Sequence, residues 1–169
     1  MKKVYQTIVN KGYGNCMQAA IASLMNKDLD DVPNFISFNE LWYEEMRNYL
    51  NTLGYDITGY LWNKNYNRLV NPTGYCFKEP KWHEPSMLTL KNIRENGGVD
   101  GFFYATVLSP KYFNYTDGFH QRHAVICDLN CHIVHDPNPE YSELISYPLS
   151  NLLGHNGIVD ILKINKLND

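Results

Sequence analysis

Apolar residues at Met17, Ala20, Ile21, Leu24 and Met25 fall at i, i+3, i+4, i+7 and i+8, one face of an α-helix that begins near Cys16. Ala19, Ala20 and Ala22 add little bulk, so neighbouring backbone can approach closely, as the central helix of a two-layer domain requires. Gly14 and Asn15 supply the preceding turn and a helix cap. A second helix over residues 39–53 places Trp42, Met46, Tyr49, Leu50 and Leu53 on its inner face and stops at Gly54.

Elsewhere the period shortens to two. "VYQTIV" (4–9) is strand-like, and "YDITGYLW" (55–62), "FFYATVL" (102–108), "HAVICD" (123–128), "CHIVHD" (131–136) and "IVDILKI" (158–164) read as strands, with a short helix at 148–153. Helices first and antiparallel strands afterwards predict an α+β fold. Residues 63–98 break both periods with Pro72, Pro80, Pro85, Gly97 and Gly98, apart from one helical stretch near 87–96. The expectation is a single domain over 1–169 with an irregular insert at 63–98, since so long an irregular stretch in a compact domain is functional or disordered.

An apolar fraction of 44% in 169 residues is enough for one sizeable core and leaves no room for a second. Fifteen basic and eighteen acidic side chains, spread without long runs, give a net charge of -3. Such a surface has no electrostatic footprint for a nucleic acid or an anionic membrane. No apolar run is long enough for a membrane span, and "MKKVYQTIVNKGYG" turns polar too soon for a signal peptide, so a cytoplasmic protein is expected. Cys16, Cys76, Cys127 and Cys131 are then thiols, not a disulfide framework.

Cys16 changes the picture because of where it stands. The N-terminal end of a helix presents unpaired N–H groups and the positive end of the dipole, which stabilise a thiolate. An isolated cysteine there reads equally as a small buried hydrophobe. "HAVICDLNCHIVHDPNP" supplies the missing partners. If Leu129 and Asn130 form a two-residue hairpin loop, His123 lies directly opposite Asp136, with Cβ atoms about 5 Å apart, and the carboxylate can accept the imidazole Nδ1–H bond. With a three-residue loop ending at Asn130, His123 would instead face His135, and only a bulge would return Asp136 to that face.

"GNCMQAAIASL", "DLDDVPNF", "SPK", "HAVI" and "VHDPNP" together resemble the papain-like cysteine peptidases, especially small stand-alone proteins similar to the domains that remove bacteriocin leader peptides. The likeness touches residues 4–35 and 101–140. It implies a papain-like fold, with N-terminal helices packed on a C-terminal antiparallel sheet. It further implies Cys16 as nucleophile, His123 as base and acid, and Asp136 as the group that orients the histidine. In that family a glutamine upstream of the cysteine helps bind the oxyanion. Here the upstream glutamine is Gln6, at a longer separation than is usual, beside the Cys16 backbone N–H as the other donor. Gln18 is read as a solvent-facing or supporting group.

The implied activity is hydrolysis of a peptide, isopeptide or small amide through a thioester, with no metal or organic cofactor, and with deamidation or acyl transfer open to the same triad. The alternative is a protein that keeps this fold and uses its cleft to bind a small ligand or protein partner. The oligomeric state is left open. His120, His123, Cys127, Cys131 and His132 fit no common zinc spacing, and strand alternation divides them between two faces. His120 is placed at the cleft border, while His132, His135 and His155 are ordinary strand or loop residues. Trp62, Tyr66, Tyr75 and Trp82 either line a substrate groove, with the insert as its wall or lid, or anchor the insert to the core.

Overall fold

A computed structural model describes residues 1–9, 14–61, 99–114, 119–129, 132–140 and 158–167. The apolar run after Cys16 forms helix α1, Cys16–Leu24. It is buried on more than the one expected face, because Gln18, Ser23 and the alanines are also enclosed and Ala19, Ala20, Ile21 and Ala22 have no exposed surface. A helix enclosed all round needs small residues where other elements cross it, and the alanines provide them.

Helix α2, Trp42–Thr52, starts later than the apolar period suggests. Residues Phe35–Leu41 before it form a 3-10 run broken at Asn39, which has φ 51 and so cannot continue a right-handed helix. A second 3-10 turn, Leu29–Asp31, has no apolar period to announce it. α2 turns Met46 and Leu50 into the core with Trp42 and Tyr49 beside them, and Gly54 at φ 80 ends it as expected.

Among the described residues, five strands form one antiparallel sheet in the order β1-β5-β2-β3-β4: β1 Tyr55–Leu61, β2 Phe102–Asn114, β3 Phe119–Asp128, β4 Ile133–His135 and β5 Ile158–Lys166. The fold is therefore α+β. α1 lies against β3 and β2, and α2 against β1. On the helix side of the sheet, Ile57, Tyr104, Ala124, Ile126, Leu162 and Ile164 join α1, α2, Val32 and Phe35 in one core. The alternate residues Phe103, Ala105, Val107, Val125, Cys127 and Ile161 form a second buried cluster. That division follows from the side-chain period of two. Each large aliphatic side chain so enclosed contributes about 1.5–3 kcal/mol.

Two strands run further than their patterns suggest. β2 and β3 continue as a hairpin past Leu108 and Arg122 to Asn114 and Phe119, with an irregularity between Leu108 and Phe113. Pro110 falls inside it, where a missing N–H costs no ladder bond. "VYQTIV" is not a strand. Its amides are satisfied elsewhere: Val4 N–H donates to Ser23 Oγ at 2.9 Å and Gln6 N–H to the Pro137 carbonyl at 2.9 Å. The insert at 63–98 with its helical stretch, the helix at 148–153, Trp62, Tyr66, Tyr75, Trp82, Cys76, Cys131 and His155 all lie outside the described residues.

Candidate active site

Cys16 is the first residue of α1 and is partly buried. Its sulfur is hydrogen-bonded to His123 and accepts the backbone N–H groups of Ala124 and Met17. Burial pushes the thiol up, but the hydrogen bond and positive charge of His123, with those two N–H groups, pull harder, so Cys16 ionises below its ordinary value. Asn15, expected to cap this helix, makes no capping bond. Its carboxamide is used elsewhere, because Oδ1 accepts the N–H groups of Thr7 at 3.0 Å and Ile8 at 2.9 Å.

His123 is buried in β3 beside Val107 of β2. Its Nε2–H donates to Asp136 Oδ1 at 2.7 Å, which leaves Nδ1 for the sulfur. This reverses the expected use of the two nitrogens. Burial pushes the imidazole down, and the hydrogen bonds and negative charges of Asp136 and Cys16 more than reverse it, carrying the ring to about 10. Asp136 Oδ1 also accepts the Asn138 N–H at 2.7 Å, and Asn138 Oδ1 accepts the Glu140 N–H at 3.0 Å, so the carboxylate sits in a loop built by consecutive side-chain turns.

The route by which Asp136 reaches His123 differs from both registers considered from sequence. Asp128 N–H donates to the His132 carbonyl at 2.9 Å, so the loop between them holds three residues, 129–131. Cys127 pairs with Ile133, but Ile126 pairs with His135, leaving Val134 as an extra residue on β4. Such a bulge places neighbouring side chains on one face. Ile133 packs in the second cluster, whereas Val134 sits against the helix-side core and His135 next to it donates Nε2–H to the Val4 carbonyl at 2.8 Å. One extra residue thus turns Asp136 to the opposite face from the one an unbroken register would give it, and its Oδ1 reaches His123 Nε2. β4 ends at His135, so Asp136 approaches from beyond the strand and not as a directly opposed ladder partner.

Gln6 is buried, and its side-chain Oε1 has no hydrogen-bond partner among the described residues. Gln18 is buried as well, contrary to a solvent-facing role: its Nε2 donates to the carbonyls of Leu29 at 2.9 Å and Val32 at 2.7 Å, and its Oε1 accepts from Asn15. His135 is buried with its ring edge-on to Tyr5, and burial holds it below the ordinary imidazole value. His132 is exposed and pairs with Asp128. Cys127 is buried in the second cluster. Among the described residues no three histidine, cysteine or acidic side chains stand together as a metal site, and no helix is long and apolar enough to cross a membrane. His120 lies in β3 opposite Phe113, and its side chain is outside the described set.

No family model, curated protein or solved structure matches this chain. The chemistry of the arrangement must be read from its own atoms. A thiol below its usual ionisation range touches an imidazole held protonated by a carboxylate, at the first turn of a helix whose Met17 N–H donates to the sulfur. Such a pair can form a nucleophilic thiolate and supply a proton to a leaving group. The Asx turn of "DPNP" and the buried amides of Asn15 and Gln18 were not recognised from sequence. The first has a local signal, Asp followed two residues later by a free N–H. The other two do not, because their partners are distant in the chain.

Proposed function

We propose that the chain is a cysteine hydrolase of papain-like type that cleaves a peptide, isopeptide or related amide bond. The observation that carries this reading is the Cys16 thiol hydrogen-bonded to His123 while Asp136 holds the opposite nitrogen of the ring. A buried helix that begins at the nucleophile and lies on an antiparallel sheet carrying the histidine suits the same reading of the fold. Peptide or protein segments are the substrate class.

In the reaction, the Cys16 thiolate attacks the carbonyl carbon and the C=O electron pair moves onto oxygen. The Cys16 backbone N–H and the Gln6 carboxamide donate to that oxyanion. Collapse of the tetrahedral intermediate breaks the C–N bond as the His123 imidazolium gives its Nδ1 proton to the departing nitrogen, leaving a thioester on Cys16. His123, now neutral, takes a proton from water, whose oxygen attacks the thioester, and the acid leaves as the thiolate–imidazolium pair re-forms. Asp136 keeps its hydrogen bond to Nε2 throughout and stabilises the charged ring.

The test is iodoacetamide labelling at about pH 6 to 7, where ordinary thiols are largely protonated, followed by screening against fluorogenic peptide and amide libraries with Cys16→Ala as control. The reading expects Cys16 to label well ahead of the other three cysteines and amide cleavage to vanish in the variant. Equally slow labelling of all four, with no cleavage, would reject it and favour a fold that only binds a ligand.

A further inference from the structure

The carboxamides of Gln18 and Asn15 form one hydrogen-bonded relay across the start of α1. Gln18 Nε2 faces two carbonyls, Leu29 and Val32, so its orientation is set and Oε1 must face Asn15, whose Nδ2 donates to it at 3.0 Å. Asn15 Nδ2 also donates to Thr7 Oγ1 at 3.3 Å, its Oδ1 accepts the N–H groups of Thr7 and Ile8, and its own N–H donates to the Ile8 carbonyl at 3.2 Å. Asn15 is 2% exposed and Gln18 9%. Three separate pieces of chain, the turn at Leu29–Asp31, the first turn of α1 and the N-terminal segment, are thereby tied at one point.

Gln6 sits inside that tie. Its own N–H is held by Pro137, the residue after Asp136, and the N–H of the next residue is held by Asn15, the residue before Cys16. Its carboxamide, on a residue only 7% exposed, has an oxygen with no partner among the described residues. Oε1 is an acceptor and cannot hold an oxyanion, so the end of this clamped, buried amide that serves as donor is Nε2. Residues 7–15 separate Gln6 from Cys16 along the chain, so their mutual placement rests on the side-chain bonds across the gap.

We propose that Asn15 is a positioning residue for the hydrolysis: through Thr7 and Ile8 it sets the separation between the Gln6 carboxamide and the Cys16 backbone N–H, so that both donors converge on one oxyanion. The inference rests on the cysteine hydrolase reading. Asparagine suits the task because two backbone N–H groups demand an acceptor while Gln18 Oε1 demands a donor. Aspartate satisfies only the first demand and alanine neither.

The experiment exploits two reactions of the same thiol. Iodoacetamide alkylation forms no oxyanion, whereas hydrolysis of a fluorogenic peptide amide does, as does hemithioacetal formation with a peptidyl aldehyde. Asn15→Ala is expected to lower kcat about a hundredfold, the scale of a misplacement near 1 Å, and to weaken aldehyde binding in proportion. KM and the iodoacetamide pH profile should stay close to wild type. Adding Gln6→Ala to Asn15→Ala should cost no more than Gln6→Ala alone, since both act through one donor. Asn15→Asp, which keeps the acceptor, should recover part of the loss, and it carries the same cycle with Gln6→Ala if the alanine variant fails to fold. Unchanged kcat, additive losses with Gln6→Ala, or a parallel fall in alkylation would overturn the positioning role while leaving the hydrolase reading intact. A wild-type protein that cleaves no amide and binds no aldehyde would overturn both.

Discussion

Asp136 holds His123 through Nε2 at 2.7 Å, on the side of the ring away from Cys16. Its carboxylate therefore acts on the sulfur only through the imidazole, by fixing the ring plane and by favouring its protonated form. Asp136→Asn retains a carbonyl oxygen for the Nε2–H and Asn138 N–H bonds but loses the charge. Asp136→Ala loses both. A hydrogen bond to a charged partner is worth about 1.5–3 kcal/mol, so Asp136→Ala should slow amide cleavage by roughly tenfold to hundredfold, with Asp136→Asn in between. Steady-state rates on a fluorogenic amide measure the order, and equal activity of the alanine variant and wild type would remove Asp136 from the mechanism.

The two ionisations predict a pH signature in stability. His123, raised from 6.5 to about 10, contributes stability that is complete below about 6.5 and lost as pH rises through about 10. Cys16, lowered from 9.0, contributes stability present above about 9 and lost as pH falls through its folded-state value. From the folded-state value of Cys16, or from about 6.5 if that is higher, up to about 9, one group takes up a proton relative to the unfolded chain while the other releases one, so the two slopes oppose and the pair's contribution is nearly level. The difference in Tm between wild type and a Cys16→Ala/His123→Ala double variant should stay level in that range and shrink towards pH 10 and above. A difference that persists unchanged past that pH would show that the imidazole is not raised.

Kinetics should report the same pair. His123→Ala removes the largest group pulling the Cys16 thiol down, so the iodoacetamide profile should move up towards an ordinary thiol. Asp136→Ala should move it by less, through the loosened ring. A profile identical in all three proteins would leave Cys16 as a helix-end thiol without a working partner.

Deleting Val134 tests the bulge. Without the extra residue, His135 follows Ile133 directly and stays opposite Ile126, so the ladder runs unbroken and Asp136 keeps its present face. The deletion should therefore spare amide cleavage and the alkylation profile, whereas inserting one residue after Val134 should turn Asp136 away, abolish cleavage and raise the alkylation pKa, while far-ultraviolet circular dichroism still reports the sheet. Full activity in the insertion variant would show that Asp136 does not depend on the register of β4.

Gly54 offers a control away from the site. At φ 80 its added Cβ would meet no atom within 4 Å, so replacement brings backbone strain without a clash. Gly54→Ala should cost about 1–2 kcal/mol in urea unfolding, and amide cleavage should be unchanged. A neutral effect on stability would mean that the α2–β1 turn has relaxed to another conformation.

Much of the fold was legible because burial imposes a period. Ile21 and Leu24 in α1, Met46 and Leu50 in α2, and the alternation of Val125 and Cys127 with Ala124 and Ile126 in β3 all repeat at intervals that geometry requires of a half-buried element. Cys16, His123 and Asp136 could be singled out because a helix-start cysteine and a strand bearing histidine and aspartate are chemically matched and locally spaced. Positive φ at Asn39 and the added residue at Val134 leave no such period, and so the start of α2 and the register of β4 were misread.

The sequence by itself determined the residue types, the periods and the end of α1 on which the thiol stands. Only the tertiary structure decided that Nε2 and not Nδ1 of His123 meets Asp136, that Asn15 binds Thr7 and Ile8 in place of its own helix, and that Gln18 faces Leu29 and Val32. The physical reason is that a side chain capable of several hydrogen bonds takes the partners that burial leaves unsatisfied. Those partners come from segments that meet only when the chain has folded.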